Sequence, residues 1–222
     1  MGLRLHRDGR TRAWIGRRFG GDESLGDRIW RRILHLGGLV VLAVYVVPAG
    51  TFGPVPVKAV PVLGLAVLLA LEAYRWRGGV ELPTLRAHEH GRMASYAYYG
   101  IALVIAVLVF PEPIAVAVVL GAALVDPLLG ELRLRSGNRH LHAAVGVATY
   151  TVLAAVPISA LGEVPVITAG ALGLLGGAVA VAVEGPDSLV PLDDDLAMIV
   201  VPGLLLAAAY WSIGGSWVLG GP

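Results

Sequence analysis

The sequence predicts an all-α protein, a polytopic membrane helical bundle of about seven transmembrane helices. Hydrophobic residues make up 56% of the 222-residue chain, charged residues make up only 15%, and the mean hydropathy is +0.75. Soluble domains carry about 25% charged residues. Apolar runs of bilayer length, roughly 20 residues each, recur along the chain and are separated by short polar stretches. The chain is therefore predicted to be an integral membrane protein.

The predicted spans follow one another without a linker or a low-complexity tract, so we expect one integral-membrane domain over residues 33–222. The spans are placed at 33–52, 56–74, 94–110, 113–129, 142–161, 165–183 and 196–214. The third and fourth are separated only by Pro111-Glu112-Pro113, and the fifth and sixth only by Gly162-Glu163-Val164, which predicts two tight hairpins. Small residues that permit close helix approach recur in the sixth span: Gly170, Gly173, Gly176 and Gly177.

Residues 1–32 form a polar, arginine-rich segment before the first span. The apolar run that follows has full membrane length and no small-residue cleavage pattern, so we do not expect a cleavable signal. We expect this segment to lie on the membrane surface and to contact anionic lipid head groups. The chain has no cysteine, which excludes disulfides, thiolate metal sites and cysteine nucleophiles.

The distribution of basic residues predicts the orientation of the bundle. With seven spans, sixteen of the seventeen basic residues fall on one face, and only Lys58 falls towards the other. Cytoplasmic loops are enriched in lysine and arginine. The N-terminus is therefore predicted to be cytoplasmic and the C-terminus to lie outside.

The stretch from Glu184 to Asp195 places five carboxylates between the last two spans, three of them consecutive, on the predicted cytoplasmic face. Neighbouring carboxylates repel one another, and a divalent cation can hold them together. A solvated acidic loop is the alternative interpretation.

Other ionisable residues gather at the same predicted depth and on the same face. They are Arg31, Arg32, His35, Glu72, Arg75, Glu89, Arg92, Asp126, Arg139, His140 and His142. Ionisable groups within spans often mark functional sites. Structural alternatives are open for most of them, because arginines can be positive-inside anchors and His35 can be a helix-packing residue. Glu72 with Arg75, and Glu89 with Arg92, have the i, i+3 spacing of structural ion pairs.

This combination of residues suits a metal–nucleotide complex at the membrane surface. Carboxylates bind Mg²⁺, and arginines pair with phosphate oxygens. Phosphoryl transfer depends mainly on positioning and charge neutralisation, so such a set is close to sufficient. A P-loop is excluded because no GxxxxGK[ST] run is present. A retinal protein is excluded because the only lysine, Lys58, lies at an outer helix end.

Several of these residues occur in an order that resembles the CTP-dependent polyprenol kinases, which include dolichol, phytol and farnesol kinases and a CTP-using diacylglycerol kinase. The matching elements, over about residues 28–205, are Arg31-Arg32-Ile33-Leu34-His35, Glu72 with Arg75, Glu89-His90-Gly91-Arg92 before Tyr96, Tyr98, Tyr99 and Gly100, Val125-Asp126-Pro127 with Gly130, and Glu184 with Asp193-Asp194-Asp195-Leu196. The chain departs from the family pattern at Val125, which replaces a glycine, and at Asp195, which replaces an asparagine. His140–Gly146 replaces a Lys-Ser-x-Glu-Gly motif.

The resemblance implies a lipid-alcohol kinase that moves the γ-phosphate of CTP to a polyprenol-type isoprenoid alcohol at the cytoplasmic leaflet, with Mg²⁺ as cofactor. The expected partners are a nucleoside triphosphate, the lipid alcohol and membrane lipids, and no nucleic acid. The predicted metal ligands are Asp193, Asp194, Asp126 and Glu184. The predicted catalytic residues are Asp126, Asp194 and His35. The predicted nucleotide contacts are Arg31, Arg32, Arg75, Arg92, Arg139, His140 and His142.

Three other functions stay open at this point. A CTP:lipid-phosphate cytidylyltransferase would use the same residues to attack the α-phosphate. A small transporter would place its site near the bilayer midplane. A non-catalytic relative of the kinases is suggested by the altered segment His140–Gly146.

Overall fold

The computed structural model describes residues 25–48, 51, 56–78, 92–184 and 193–215. Most of the arginine-rich N-terminal segment, Glu89 and the middle of the acidic stretch lie outside the described residues, and so does the side chain of Arg31. The described residues are all-helical, without a β-strand among them. The α-helices within these ranges are α1 Leu25–Gly37, α2 Ala59–Trp76, α3 Ser95–Val109, α4 Glu112–Arg135, α5 Arg139–Gly162, α6 Val166–Glu184 and α7 Asp194–Ser212.

Five of these helices, α2, α4, α5, α6 and α7, are long and apolar enough to cross a membrane. Their large apolar side chains are exposed at many positions, for example Val152 at 63% and Ile167 at 89%. Such outward apolar faces suit a lipid environment. The helices are thus compatible with a multi-pass membrane protein. The two further apolar segments, Arg32–Tyr45 and Ser95–Val109, are shorter, and the count of seven spans and the orientation of the termini stay predictions.

The first predicted span, 33–52, differs most from the structure. Helix α1 gives way to a 3₁₀-helix over Gly38–Tyr45, and the helical segment ends there. Adjacent glycines at 37 and 38 weaken the α-helix because glycine loses the most backbone freedom on folding. The backbone at Gly38 also lies against Tyr99, since a Cβ there would be 2.3 Å from the tyrosine oxygen.

Helix α4 is the centre of the bundle. Its most apolar window is 61% buried, against 17% for α2, which packs at the edge against α3. Helix α4 packs against α1, the 3₁₀ segment, α3, α5, α6 and α7. Most of its buried side chains are small or β-branched, such as Ala115, Val118 and Ala122, and these let its neighbours approach closely.

The chain direction alternates between consecutive helices from α3 to α6 because the connections are short. Phe110 and Pro111 join α3 to α4, and Glu163 takes a left-handed conformation (φ 53°) at the end of α5. Antiparallel α5 and α6 then pack along their length, with Gly173 and Gly177 against the α5 backbone. A Cβ at Gly173 would lie 2.6 Å from the carbonyl oxygen of Thr151, whereas at Gly170 nothing lies within 4 Å.

We therefore expect Gly173→Ala to lower the free energy of unfolding by about 1–3 kcal/mol, because the added methyl group meets backbone that cannot move away cheaply. Gly170→Ala, the matched control on the same helix, should leave stability unchanged or raise it by up to about 1 kcal/mol. Unfolding of both variants in detergent micelles measures this. Equal stabilities would contradict the close α5–α6 contact.

Candidate functional site

Ionisable side chains from six helices lie together at one end of the bundle, which we call the polar end. It is formed by the C-terminal parts of α1, α2, α4 and α6 and by the N-termini of α3 and α7. The N-terminus of α5 follows α4 after only three residues and lies at the same end. The alternating direction of the helices therefore brings together residues that are far apart in sequence.

The centre of the polar end is a contact between one histidine and two aspartates. His35 Nε2 lies 3.0 Å from Asp195 Oδ1 and 3.3 Å from Asp126 Oδ2. The three residues come from α1, α7 and α4, and His35 is only 9% exposed. A proton on Nε2 can be donated to either carboxylate. Three helices thus meet at one imidazole.

The backbone of α7 determines which aspartate of the acidic run points inwards. Asp193 is the N-cap, and its Oδ1 accepts a hydrogen bond from the backbone N–H of Asp195 at 3.2 Å. Its Oδ2 lies 3.5 Å from the Ser95 hydroxyl at the start of α3. Asp194 is exposed. Asp195 lies in helical register with buried Met198 and Ile199, so its carboxylate faces the bundle.

Tyr99 on α3 holds His35 from the other side. The Tyr99 hydroxyl donates a hydrogen bond to the backbone carbonyl of His35 at 2.9 Å. The two rings lie 4.8 Å apart, with 33° between their planes. Tyr99 is 5% exposed. A buried tyrosine that bonds the backbone and packs on the ring restrains the position of the imidazole.

His35, Asp126 and Asp195 could hold a metal ion, because one ligand atom from each residue lies within 4.8 Å of the others. An imidazole nitrogen with two carboxylate oxygens suits Mn²⁺ or Zn²⁺ as well as, or better than, Mg²⁺, which prefers oxygen ligands. The residues therefore fit a divalent cation. Among the predicted ligands, Asp126 belongs to this set. Asp193 caps α7, Asp194 is exposed one residue before Asp195, and Glu184 pairs with Arg133.

Glu72 and Arg75 form a buried ion pair near the C-terminus of α2, as in the structural interpretation of their spacing. The Arg75 Nε and Nη2 atoms donate to the Glu72 carboxylate at 2.9 and 2.5 Å. Glu72 also accepts hydrogen bonds from the Tyr96 hydroxyl and the Ala94 backbone N–H. Arg75 is 7% exposed and donates to the carbonyl of Arg92. The pair anchors the start of α3 to α2, and the Arg75 guanidinium is engaged there.

Two further arginines pair with carboxylates at the polar end. Arg32 on α1 contacts Glu131 on α4. Arg133 Nη2 lies 2.8 Å from Glu184 Oε1. Of these predicted site residues, Arg32 is thus placed at the rim of the polar end and Glu184 at its buried side.

The remaining predicted contacts lie at helix ends around this centre. Arg92 is exposed just before α3, and Arg139 and His140 are exposed in the first turn of α5. That turn is capped by Asn138, whose side-chain oxygen accepts hydrogen bonds from the N–H groups of His140 and Leu141. His142 is 9% exposed, and its Nε2 has no hydrogen-bond partner among the described residues.

The sequence prediction did not assign Asp195, Tyr99 or Arg133 to the site. For Asp195 a signal was available, because the first aspartate of a run before a helix is the preferred N-cap, and the third shares a face with the apolar stripe. Tyr99 belongs to the tyrosine-rich motif of the resemblance, but that motif gives it no role. Arg133 has no signal in the sequence, and both roles depend on contacts with α1 and α6.

Removal of Arg75 tests how much the buried ion pair stabilises the bundle. Arg75→Gln should lower the free energy of unfolding by about 3–5 kcal/mol, because it leaves the Glu72 carboxylate buried without its cation. The control Arg135→Gln removes an arginine that is 79% exposed and 3.6 Å from Glu131, and it should cost less than about 1 kcal/mol. Chemical unfolding in micelles measures both changes. Equal losses would contradict an anchoring role for the buried pair.

Comparison of the chain with models of known protein families, with curated proteins and with solved structures finds no match. The functional argument therefore depends on the geometry of the polar end and on the residues that form it.

Proposed function

We propose that the protein is an integral-membrane, divalent-cation-dependent enzyme that transfers a phosphoryl group from a nucleoside triphosphate to a lipid alcohol. The contact of His35 with Asp126 and Asp195 carries this proposal. Ionisable groups at the end of a membrane bundle are costly. Three of them, from separate helices and within ligand distance of one another, favour a functional site.

The three residues would hold a divalent cation between α1, α4 and α7. A cation bound there would draw in and neutralise phosphate oxygens of the nucleotide. Tyr99 would keep the His35 ring in place through its hydrogen bond to the His35 carbonyl. The cation is Mg²⁺ in the sequence prediction, and the nitrogen ligand makes Mn²⁺ an equally suitable ion.

Asp194 supplies a base for the reaction in this proposal. Its side chain is exposed at the N-terminus of α7, one residue from Asp195. The hydroxyl oxygen of the alcohol would bond to the γ-phosphorus while the bond from that phosphorus to the bridging oxygen breaks. The nucleoside diphosphate would leave with that oxygen. The hydroxyl proton would pass to the Asp194 carboxylate. The helix N-terminus favours negative charge at this position.

The identity of the substrates comes from the resemblance stated above. CTP as the donor, a polyprenol-type alcohol as the acceptor and the cytoplasmic leaflet as the location are parts of the proposal. They are supported by the order of the motifs and by the distribution of arginines. The apolar outer faces of the bundle would let a lipid alcohol reach the polar end from the bilayer.

Metal titration separates the ligands proposed from the geometry from those predicted by sequence alone. Calorimetric titration of the purified protein with Mn²⁺ should give at least about tenfold weaker binding for Asp126→Asn and Asp195→Asn. Asp193→Asn should change the affinity by less than about threefold, because asparagine caps a helix as well as aspartate does. Equal weakening by Asp193→Asn and Asp195→Asn would instead favour Asp193 as a ligand.

Label transfer tests the reaction itself. Purified protein with Mg²⁺ or Mn²⁺, γ-labelled CTP or ATP, and a panel of lipid alcohols should yield labelled lipid. Asp126→Asn and Asp194→Asn should each lower the initial rate on the order of 100-fold. Glu163→Gln is the control, because this exposed carboxylate lies at the other end of α5.

One outcome would contradict the kinase, and another would contradict the residues assigned to it. Lipid labelled only from α-labelled CTP would show a cytidylyltransferase, which uses the same kind of site. Full activity in both Asp126→Asn and Asp194→Asn would remove the assigned residues from the chemistry.

A further inference from the structure

Arg133 and Glu184 form a pair that joins the C-termini of α4 and α6 beside the central contact. Glu184 is 4% exposed, and the side chain of Arg133 is 43% exposed. The carboxylate is therefore buried while the guanidinium approaches it from the rim. Asp126 and Asp194 lie close enough to Glu184 to interact with it electrostatically. A buried carboxylate near two others requires a neighbouring positive charge.

The contact between the two residues joins one guanidinium nitrogen to one carboxylate oxygen. Arg133 Nη2 lies 2.8 Å from Glu184 Oε1, and Glu184 Oε2 has no hydrogen-bond partner among the described residues. The arginine therefore does not approach in the forked geometry that makes such pairs strong. This differs from Arg75, which bonds Glu72 through two nitrogens and is buried.

A second buried polar atom without a partner lies on α5, at the same level of the bundle as this pair. A Cβ at Gly146 on α5 would contact Leu129 on α4 and Val181 on α6. His142 lies four residues before Gly146, on the same face of α5 and closer to the polar end. Its buried Nε2 lacks a hydrogen-bond partner among the described residues. Because α5 runs antiparallel to α4 and α6, this step brings His142 level with Arg133 and Glu184. Buried polar atoms are normally satisfied, by protein, water or ligand.

We infer that Arg133 is an anion-binding residue that Glu184 holds at rest, and that a phosphate oxyanion at the polar end takes over its guanidinium. The inference rests on the proposed function and adds Arg133 to its phosphate contacts. The positive charge of a cation held by Asp126 would reduce the repulsion between the Asp126 and Glu184 carboxylates. Arg133 would then contribute less to stabilising the charge of Glu184 when the cation is bound. Cation binding and phosphate binding are thereby coupled through this pair.

Phosphate oxyanions could come from a nucleotide or from a lipid head group, so the test has two arms. The wild-type protein and its variants are titrated, in the presence of Mn²⁺, with inorganic tripolyphosphate and separately with a short-chain, water-soluble phosphatidate. Arg133→Gln should weaken binding about tenfold or more in at least one arm. Arg133→Lys should restore part of the affinity, because it keeps the charge but not the forked geometry.

Two further variants separate anion binding from a structural role. Glu184→Gln should tighten binding, since it removes the carboxylate that competes for Arg133. The double variant Arg133→Gln with Glu184→Gln leaves no buried unpaired charge at this position and should still bind weakly. Arg135→Gln, two residues along α4 and 79% exposed, is the control and should change the affinity by less than about twofold.

The outcomes separate this inference from the proposed function. A loss confined to the tripolyphosphate arm assigns Arg133 to a soluble polyphosphate, and a loss confined to the phosphatidate arm assigns it to a lipid phosphate. If the double variant binds both anions as tightly as the wild-type protein does, the role of Arg133 is overturned and the proposed function still stands. A wild-type protein that binds neither anion with Mn²⁺ present overturns both.

Discussion

The contact of His35 with Asp126 and Asp195 is the constraint on which the polar end depends. It joins α1, α4 and α7 at distances of 3.0 and 3.3 Å, although the residues are separated by 91 and 160 positions in sequence. Two carboxylates at the end of a membrane bundle repel each other, and the imidazole supplies the donor that offsets this repulsion. A divalent cation held by one ligand atom from each of the three residues could offset the same repulsion. The contact that joins the three helices is therefore also the candidate metal site.

The other charged groups of the polar end fall into two kinds. Arg75 and Glu72 are buried, joined through two hydrogen bonds and fixed further by Tyr96, so this pair anchors α2 to α3. Arg32 and Arg133 approach their carboxylates from more exposed positions. An ion pair of two partly exposed residues, such as Arg32 with Glu131, contributes little to stability. Glu184 is buried, but the Arg133 guanidinium that pairs with it is 43% exposed and can be reached from the rim. The bundle therefore combines fixed charges that position helices with arginines that remain accessible to a ligand.

Hydropathy predicts the helices well, because a lipid-exposed backbone must satisfy its hydrogen bonds within each helix. The predicted spans from 113–129 onwards each correspond to one helix of the structure, and the helices extend beyond them by no more than about two turns. The span at 33–52 is shorter than predicted, since its helical segment ends at Tyr45 and changes from α-helix to 3₁₀-helix at Gly38. The site was predictable where the signal is local, as at Asp126. Predicting Asp195 instead of Asp193 as the inward-facing aspartate requires knowing which residue caps α7 and which face of the helix is buried. Predicting a role for Arg133 requires knowing where α6 lies.

The most direct test of the central contact is pulsed electron paramagnetic resonance of Mn²⁺ bound to the purified protein. If His35, Asp126 and Asp195 share one cation, the wild-type spectrum will show coupling to a single imidazole nitrogen, and His35→Asn will remove this coupling while the protein stays folded. Bound Mn²⁺ without nitrogen coupling, or coupling that persists in His35→Asn, would contradict the assigned site.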